Sequence, residues 1–320
     1  MPGNVVGRDE IAAARARLAG RVRRTPVLRL PAEALGLAAS VGEVALKLEL
    51  LQVTGSFKPR GAFNRVLSAA PHAAGPGVIA ASGGNHGAAV AHAARALGLR
   101  AEVFVPTISA PAKVARIRAE GAALVQIGAT YAEALAASEA RAAETGALVV
   151  HAYDQPEVIA GQGTVGAEVE EDAPDLTHLL VAVGGGGLIG GIAAWYAGIG
   201  CEVVSVEPAA CPTFHAALAA GRPVEAPVGG IAADSLGPRS VGALVFAVAS
   251  PVVRTAVLVG DAAIREAQRR LWSACRLVAE PGGACALAAL TGGAWTPPPG
   301  ARVGVLVCGA NTDPAGVADA

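Results

Sequence analysis

Four consecutive glycines, Gly184-Gly185-Gly186-Gly187, stand where a strand-like segment, Leu179 to Val183, gives way to a helix-like one, Leu188 to Ala197. Backbone N–H groups in such a run can close on an anion with no Cβ in the way. The helix N-terminus that follows adds the positive end of its dipole. This is phosphate-binding chemistry. No Lys-Ser or Lys-Thr follows, so it is not the loop of a P-loop NTPase. Gly185, Gly187 and Gly190 also match G-x-G-x-x-G, and Glu207 closes the next strand at about the 20-residue spacing of a dinucleotide-binding unit. On these residues alone the two readings stand level. A merely tight turn is the less favoured alternative, because four glycines carry an entropic cost.

Three further segments concentrate reactive types. In Thr54-Gly55-Ser56-Phe57-Lys58-Pro59-Arg60-Gly61-Ala62, a lysine sits among glycines and small hydroxyls. Its amine can form a Schiff base when desolvated or beside another cation, and Arg60 is such a neighbour in sequence. Phe57 could pack on a flat ring. Taken alone, the lysine would be read as a surface residue in a turn. Ser82-Gly83-Gly84-Asn85-His86-Gly87 follows a strand and opens a helix, which offers an anion nest and an amide; an Asn helix cap beside a stray His is the plainer account. Cys308-Gly309-Ala310-Asn311-Thr312 follows the last strand. A thiol there could face a ligand's ring, although a buried cysteine is more often a small hydrophobe. Lysine occurs only at Lys47, Lys58 and Lys113, whereas arginine is plentiful.

The elements around these segments alternate between strand and helix. Strands are expected at Gly77–Ala81, Ala101–Val105, Ala123–Ile127, Ala147–His151, Leu179–Val183, Glu202–Val206 and Arg302–Val307. Helices are expected at Gly87–Leu97, Pro111–Glu120, Tyr131–Glu144, Pro156–Glu171, Leu188–Ala197 and Asp261–Ala274, with another after Pro281. Two β/α blocks imply two parallel sheets covered by helices, with a cleft between them. Ligands in such sheets bind beyond the carboxyl ends of the strands, where the four segments lie.

Composition narrows the class. The chain has 320 residues, 53% of them hydrophobic and 16% charged, with a net charge of -1. That is ample for a large core, and no apolar run is long enough to span a bilayer. Basic residues are not clustered, so no nucleic-acid partner is expected. Cys201, Cys211, Cys275, Cys285 and Cys308 form no C-x-x-C pair, which fits a reducing cytoplasm. Asp9 to Arg24 reads as a surface helix with acidic residues at its start rather than a targeting segment. His72, His86, His92, His151, His178 and His215 show no metal-ligand spacing.

Taken in order, TGSFKPRGA, SGGNHG, GGGGL and VEP resemble fold-type-II pyridoxal-phosphate (PLP) enzymes, in particular the threonine/serine dehydratase and serine racemase family. The resemblance runs from about Thr25 to Asn311. It implies a three-layer α/β fold like that of the tryptophan synthase β subunit, with two parallel-sheet domains and the active site in the cleft. The small domain would span about residues 52–151; residues 1–51 and 152–320 would form the large PLP domain. Lys58 would carry PLP as a Schiff base and remove the α-proton. Phe57 would lie near the cofactor ring, Asn85 would bond the ring hydroxyl, and Gly184, Gly185, Gly186, Gly187 and Leu188 would hold the phosphate. Cys308 would sit near the pyridine nitrogen. Ser82, Gly83 and His86 would line the substrate carboxylate site.

The same resemblance implies a reaction. A thiol at the pyridine nitrogen, unlike an aspartate, does not fix a proton there, which favours prompt loss of a β-leaving group. The expected activity is dehydration of L-threonine, L-serine or a similar β-hydroxy amino acid to a 2-oxo acid and ammonia. Racemases of the family carry a serine where Gly83 stands, so elimination is favoured over racemisation. Members with a divalent-metal site pair a glutamate with a later aspartate. Glu207 matches the first and Thr213 stands at the second, so Glu207 is only a candidate ligand and no tight site is expected. A C-terminal regulatory domain is not expected. A cytoplasmic homodimer acting on a free amino acid completes the expectation. The alternatives are β-elimination or β-replacement on another amino acid, a racemase, an NAD-dependent oxidoreductase, and a non-catalytic binding homologue.

Overall fold

The computed structural model describes residues 6–69 and 75–318; His72 lies outside them. The strands are β1 (Val27–Pro31), β2 (Glu43–Lys47), β3 (Val78–Ala81), β4 (Ala101–Val105), β5 (Ala123–Gln126), β6 (Leu148–Val149), β7 (His178–Ala182), β8 (Glu202–Pro208), β9 (Thr255–Val259) and β10 (Val303–Leu306). The helices are α1 (Arg8–Leu18), α2 (Lys58–Ser68), α3 (Asn85–Ala96), α4 (Pro111–Ala119), α5 (Tyr131–Thr145), α6 (Pro156–Asp172), α7 (Gly187–Tyr196), α8 (Thr213–Ala220), α9 (Ala233–Leu236), α10 (Ala243–Ala249), α11 (Asp261–Cys275), α12 (Pro281–Thr291) and α13 (Ala315–Ala318).

Two sheets form. The larger has the order β1-β2-β10-β7-β8-β9 and the smaller β5-β4-β3-β6. Every pairing is parallel except β1 with β2. Strands covered on both faces must be apolar throughout, and β3 and β10 are buried at every residue. The two-residue alternation still divides them. Val78 and Ala80 enter one core cluster with Phe63 and Val90, while Ile79 and Ala81 enter another with Phe104 and Ala142. The large sheet has its own cluster, built from β7, β8, β10, α7 and α12.

Helix α6 ties the halves together through close backbone approach. A Cβ on Gly161 would fall 2.5 Å from the Arg60 carbonyl oxygen, and one on Gly191 would fall 2.4 Å from the Gly163 nitrogen. Only glycines let α2 and α7 lie this near to α6. Beneath that contact Arg60 is buried. Its guanidinium meets Glu49 at 2.7 Å and Glu168 at 2.7 Å, and Lys47 meets Glu168 at 2.7 Å.

The expected β/α blocks are present, with differences at their ends. The strand expected over Ala147–His151 is only Leu148–Val149, because a turn begins at His151, whose Nδ1 accepts the N–H groups of Tyr153 and Asp154. The antiparallel β1–β2 pair and β9 were not among the expected elements.

Candidate active site

Each sheet reverses its winding once. In the small sheet the chain runs outward from β3 through β4 and β5, then lays β6 on the other side of β3. In the large sheet it runs outward from β7 through β8 and β9, then lays β10 on the other side of β7. Such reversals open crevices at the carboxyl ends of the strands. The segments that leave those ends are Ser82–Asn85 after β3, Val150–Asp154 after β6, Gly184–Gly187 after β7 and Cys308–Asn311 after β10.

The segments after β6 and β10 meet at Lys58 and the residues just before it. Lys58 Nζ donates to the Ala152 carbonyl at 2.7 Å and lies 5.1 Å from the Phe57 ring centroid. The Phe57 N–H donates to the Cys308 carbonyl at 3.2 Å, and Ser56 bridges to Gly309. Lys47 and Lys113 are engaged with carboxylates, whereas Lys58 has a neutral partner. Burial lowers its pKa to about 8, with Cys308 and Glu280 partly offsetting the fall. The sequence left two routes open, desolvation or a neighbouring cation such as Arg60; Arg60 turns into the buried carboxylates, and desolvation acts on Lys58.

The glycine turn is a tight cup. A Cβ on Gly185 would land 2.2 Å from Tyr153 Cδ1, one on Gly186 2.6 Å from Val245 Cγ1, and one on Gly187 2.9 Å from Tyr153 Cα. Gly186 adopts φ 89°, and α7 starts with no side-chain cap. Leu188 is buried in its first turn. Asp154 secures the neighbouring wall, accepting the N–H groups of Ala243, Leu244 and Val245 at 3.0, 3.0 and 3.1 Å. This puts α10 against the cup, and the Gly242 N–H donates to the Gly185 carbonyl.

The remaining expected residues lie around the same cleft. Asn85 Nδ2 donates to Glu280 Oε1 at 2.6 Å, and its Oδ1 accepts from Arg116 and Asn311. Ser82 Oγ accepts the Gly84 N–H at 3.2 Å. The place a Cβ would take on Gly83 is 3.5 Å from Ser109 Oγ. His86 bonds the Val150 carbonyl at 2.8 Å, and burial lowers its pKa to about 3, so the ring is neutral and Nε2 is the donor. Cys308 Sγ donates to the Gly282 carbonyl at 3.4 Å, and burial pushes its pKa up, so it stays a thiol. Glu207 accepts the N–H groups of Phe214 and His215 at 2.8 and 2.7 Å, with Thr213 Oγ1 3.2 Å away. It caps α8 with both oxygens.

Glu280, Tyr153 and Arg116 are members that sequence reasoning missed. Glu280 is buried just ahead of α12, and burial pushes its pKa up to about 7. The Glu280-Pro281 step was a visible helix start, but nothing in it pointed to the cleft. Tyr153 lies on the cup and keeps its hydroxyl proton, with its pKa raised to about 12 by burial.

The residues fit a phosphorylated aromatic aldehyde: a cup that only glycine can form, an amine with a depressed pKa, and a neutral thiol and an amide beside them. Two parallel sheets that converge on an imine-competent lysine at their winding reversals define a fold-type-II PLP enzyme. The comparisons agree. The model of the family described as pyridoxal-phosphate dependent enzyme matches residues 18–309, and the chain belongs to that family. It is 40% identical over 301 residues to an L-threonine ammonia-lyase of Geobacter sulfurreducens, covering 93% of this chain and 73% of that one. It is 37% identical over 310 residues to a phenylserine dehydratase of Ralstonia pickettii, covering 95% and 92%. The structure of maize serine racemase superposes with a TM-score of 0.91 at 30% identity, covering 98% and 96%. The family is pyridoxal-phosphate dependent, so the cofactor is PLP rather than a dinucleotide.

Proposed function

We propose that the protein is an ammonia-lyase that dehydrates L-threonine or L-serine to the 2-oxo acid and ammonia. The observation that carries this reading is the neutral Cys308 thiol at the end of β10, its proton directed to the Gly282 carbonyl. Bound PLP supplies an electron sink that acidifies the substrate α-carbon. Lys58, with its pKa near 8, would take the α-proton, which balances the β-hydroxyl leaving as water, and a thiol holds no fixed charge with which to delay that departure. The enamine product then takes up water and releases ammonia. Ser82, Gly83 and the N–H groups at the start of α3 would receive the substrate carboxylate, and the Gly184–Gly187 cup with Leu188 the cofactor phosphate. Phe57 would pack near the cofactor. His86, tied to Val150, would support the carboxylate loop from behind.

Residues 52–151 are read as the small domain, and 1–51 with 152–320 as the large one. Among the described residues no helix is long and apolar enough to cross a membrane. The five free cysteines and the net charge of -1 support a cytoplasmic enzyme with no nucleic-acid partner, and we read it as a homodimer. A racemase is the second reading, favoured by the Ser109 hydroxyl beside Gly83. Incubation with L-threonine and L-serine, followed by assay of 2-oxo acid, ammonia and the D-enantiomer, separates the two. Stoichiometric 2-oxo acid and ammonia are expected. D-amino acid as the main product, or no turnover of either substrate, would contradict the proposal.

A further inference from the structure

The N–H groups of Gly185, Gly186 and Gly187 are buried and have no partner among the described residues. A folded chain rarely leaves buried N–H groups unpaired, so these three are donors kept for a ligand. A trans peptide unit is planar, and its carbonyl and its N–H point in opposite directions. Each of the three N–H groups is therefore aimed by whatever holds the carbonyl of the residue before it. The Gly186 carbonyl, in one unit with the Gly187 N–H, accepts from the Gly190 nitrogen of α7 at 2.8 Å. The Gly185 carbonyl, in one unit with the Gly186 N–H, accepts from the Gly242 nitrogen just ahead of α10 at 3.2 Å. Both anchors are backbone. The Gly184 carbonyl, in one unit with the Gly185 N–H, is held by a side chain. Among the described residues its partner is Thr213 Oγ1, 2.5 Å away at the start of α8.

Thr213 is fully buried, and its hydroxyl carries one proton. Two oxygens stand near it, the Gly184 carbonyl and, farther off at 3.2 Å, Glu207 Oε1. A carbonyl can only accept, so the proton lies on the shorter contact. Glu207 is engaged by the N–H groups of Phe214 and His215, which fasten the first turn of α8 to β8 and so fix where the hydroxyl stands.

We propose that Thr213 is a positioning residue for the cofactor phosphate: its hydroxyl holds the Gly184 carbonyl outward and thereby turns the Gly185 N–H into the cup. The proposal rests on the reading of Gly184–Gly187 as the phosphate holder. Thr213 touches neither cofactor nor substrate. Valine has the shape of threonine but no donor. With it the Gly184 carbonyl is left buried without a partner, and the peptide unit that carries the Gly185 N–H loses the contact that aims it.

The test strips PLP from wild type, T213V, T213A, T213S and G185A and titrates each with PLP and with pyridoxal, which has the aldehyde but no phosphate. Thermal unfolding checks the fold. Both ligands can form an imine with Lys58, so the ratio of their dissociation constants isolates the grip on the phosphate. T213V and T213A should weaken PLP about tenfold, the worth of one hydrogen bond, and leave pyridoxal as in wild type. T213S keeps the hydroxyl and should restore most of the PLP affinity. G185A, whose Cβ would fall 2.2 Å from Tyr153 Cδ1, distorts the cup itself and should also reduce the preference for PLP. Equal weakening of PLP and pyridoxal in the Thr213 variants would show general damage to the site and overturn the proposal. A wild-type preference in T213V and T213A beside a reduced one in G185A overturns the role of Thr213 and keeps the reading of the cup. A wild-type preference in G185A removes that reading and the proposal with it.

Discussion

Lys58 differs from the other two lysines in lacking a carboxylate partner, and its chemistry follows from that. The neutral amine is the nucleophile that captures an aldehyde. With a pKa near 8, its reactive fraction rises about tenfold per pH unit below that value and levels off above it. The rate at which apoprotein regains PLP absorbance should therefore climb from pH 6 and reach a plateau close to pH 8. A rate still climbing past pH 10 would show an ordinary solvated lysine. Glu280 gives a stability effect of opposite origin. Its folded pKa of about 7 lies above the usual carboxyl value, so the folded protein holds this proton more tightly than the unfolded chain does. The resulting penalty is absent at acid pH, grows as pH rises from about 4.5 through 7, and reaches about 3–4 kcal/mol above that. E280Q lacks this titration, so chemical denaturation of the apoproteins should show the variant gaining on wild type across the same interval. A difference that does not vary with pH would contradict the assignment.

Helix α6 works as a spine at the scale of elements. A Cβ on Gly191 would press into Gly163 and the Ile159 carbonyl, both backbone and unable to move aside. G191A should cost about 1–3 kcal/mol or more by forcing α6 and α7 apart, measurable as a lower denaturant midpoint. R60M should cost about 3–5 kcal/mol, since it leaves Glu49 and Glu168 buried without their shared cation. Little change in either variant would mean that this interface is loosely packed. The same elements show which segments of the cleft can be read in sequence. Gly184–Gly187, Ser82–His86 and Cys308–Asn311 are legible because glycine-rich turns between strand and helix concentrate backbone donors in short strings. The direction of Arg60 is not legible beside Lys58, because helix positions two residues apart point to different faces. Glu280 and Arg116 are not legible, because only the folded chain brings α4 and the start of α12 to Asn85. The β1–β2 pair escapes because it breaks the β/α alternation that identifies the rest.

At the scale of the whole molecule, the site exists only where the two sheets face each other. The small sheet brings Asn85 and the Ala152 carbonyl; the large one brings the glycine cup, Glu280 and Cys308; Lys58 lies between them. The Lys113–Asp234 ion pair spans the same opening, from α4 to α9. An imine formed on any other lysine would place the cofactor outside this meeting point, since Lys47 is buried against Glu168 and Lys113 lies at the rim. The most direct measurement is borohydride reduction of the PLP-loaded protein, followed by proteolysis and mass spectrometry of the modified peptide. The account predicts loss of the yellow band and a single reduced adduct on Lys58. An adduct on Lys47 or Lys113, or a protein that stays colourless after incubation with PLP, would contradict it.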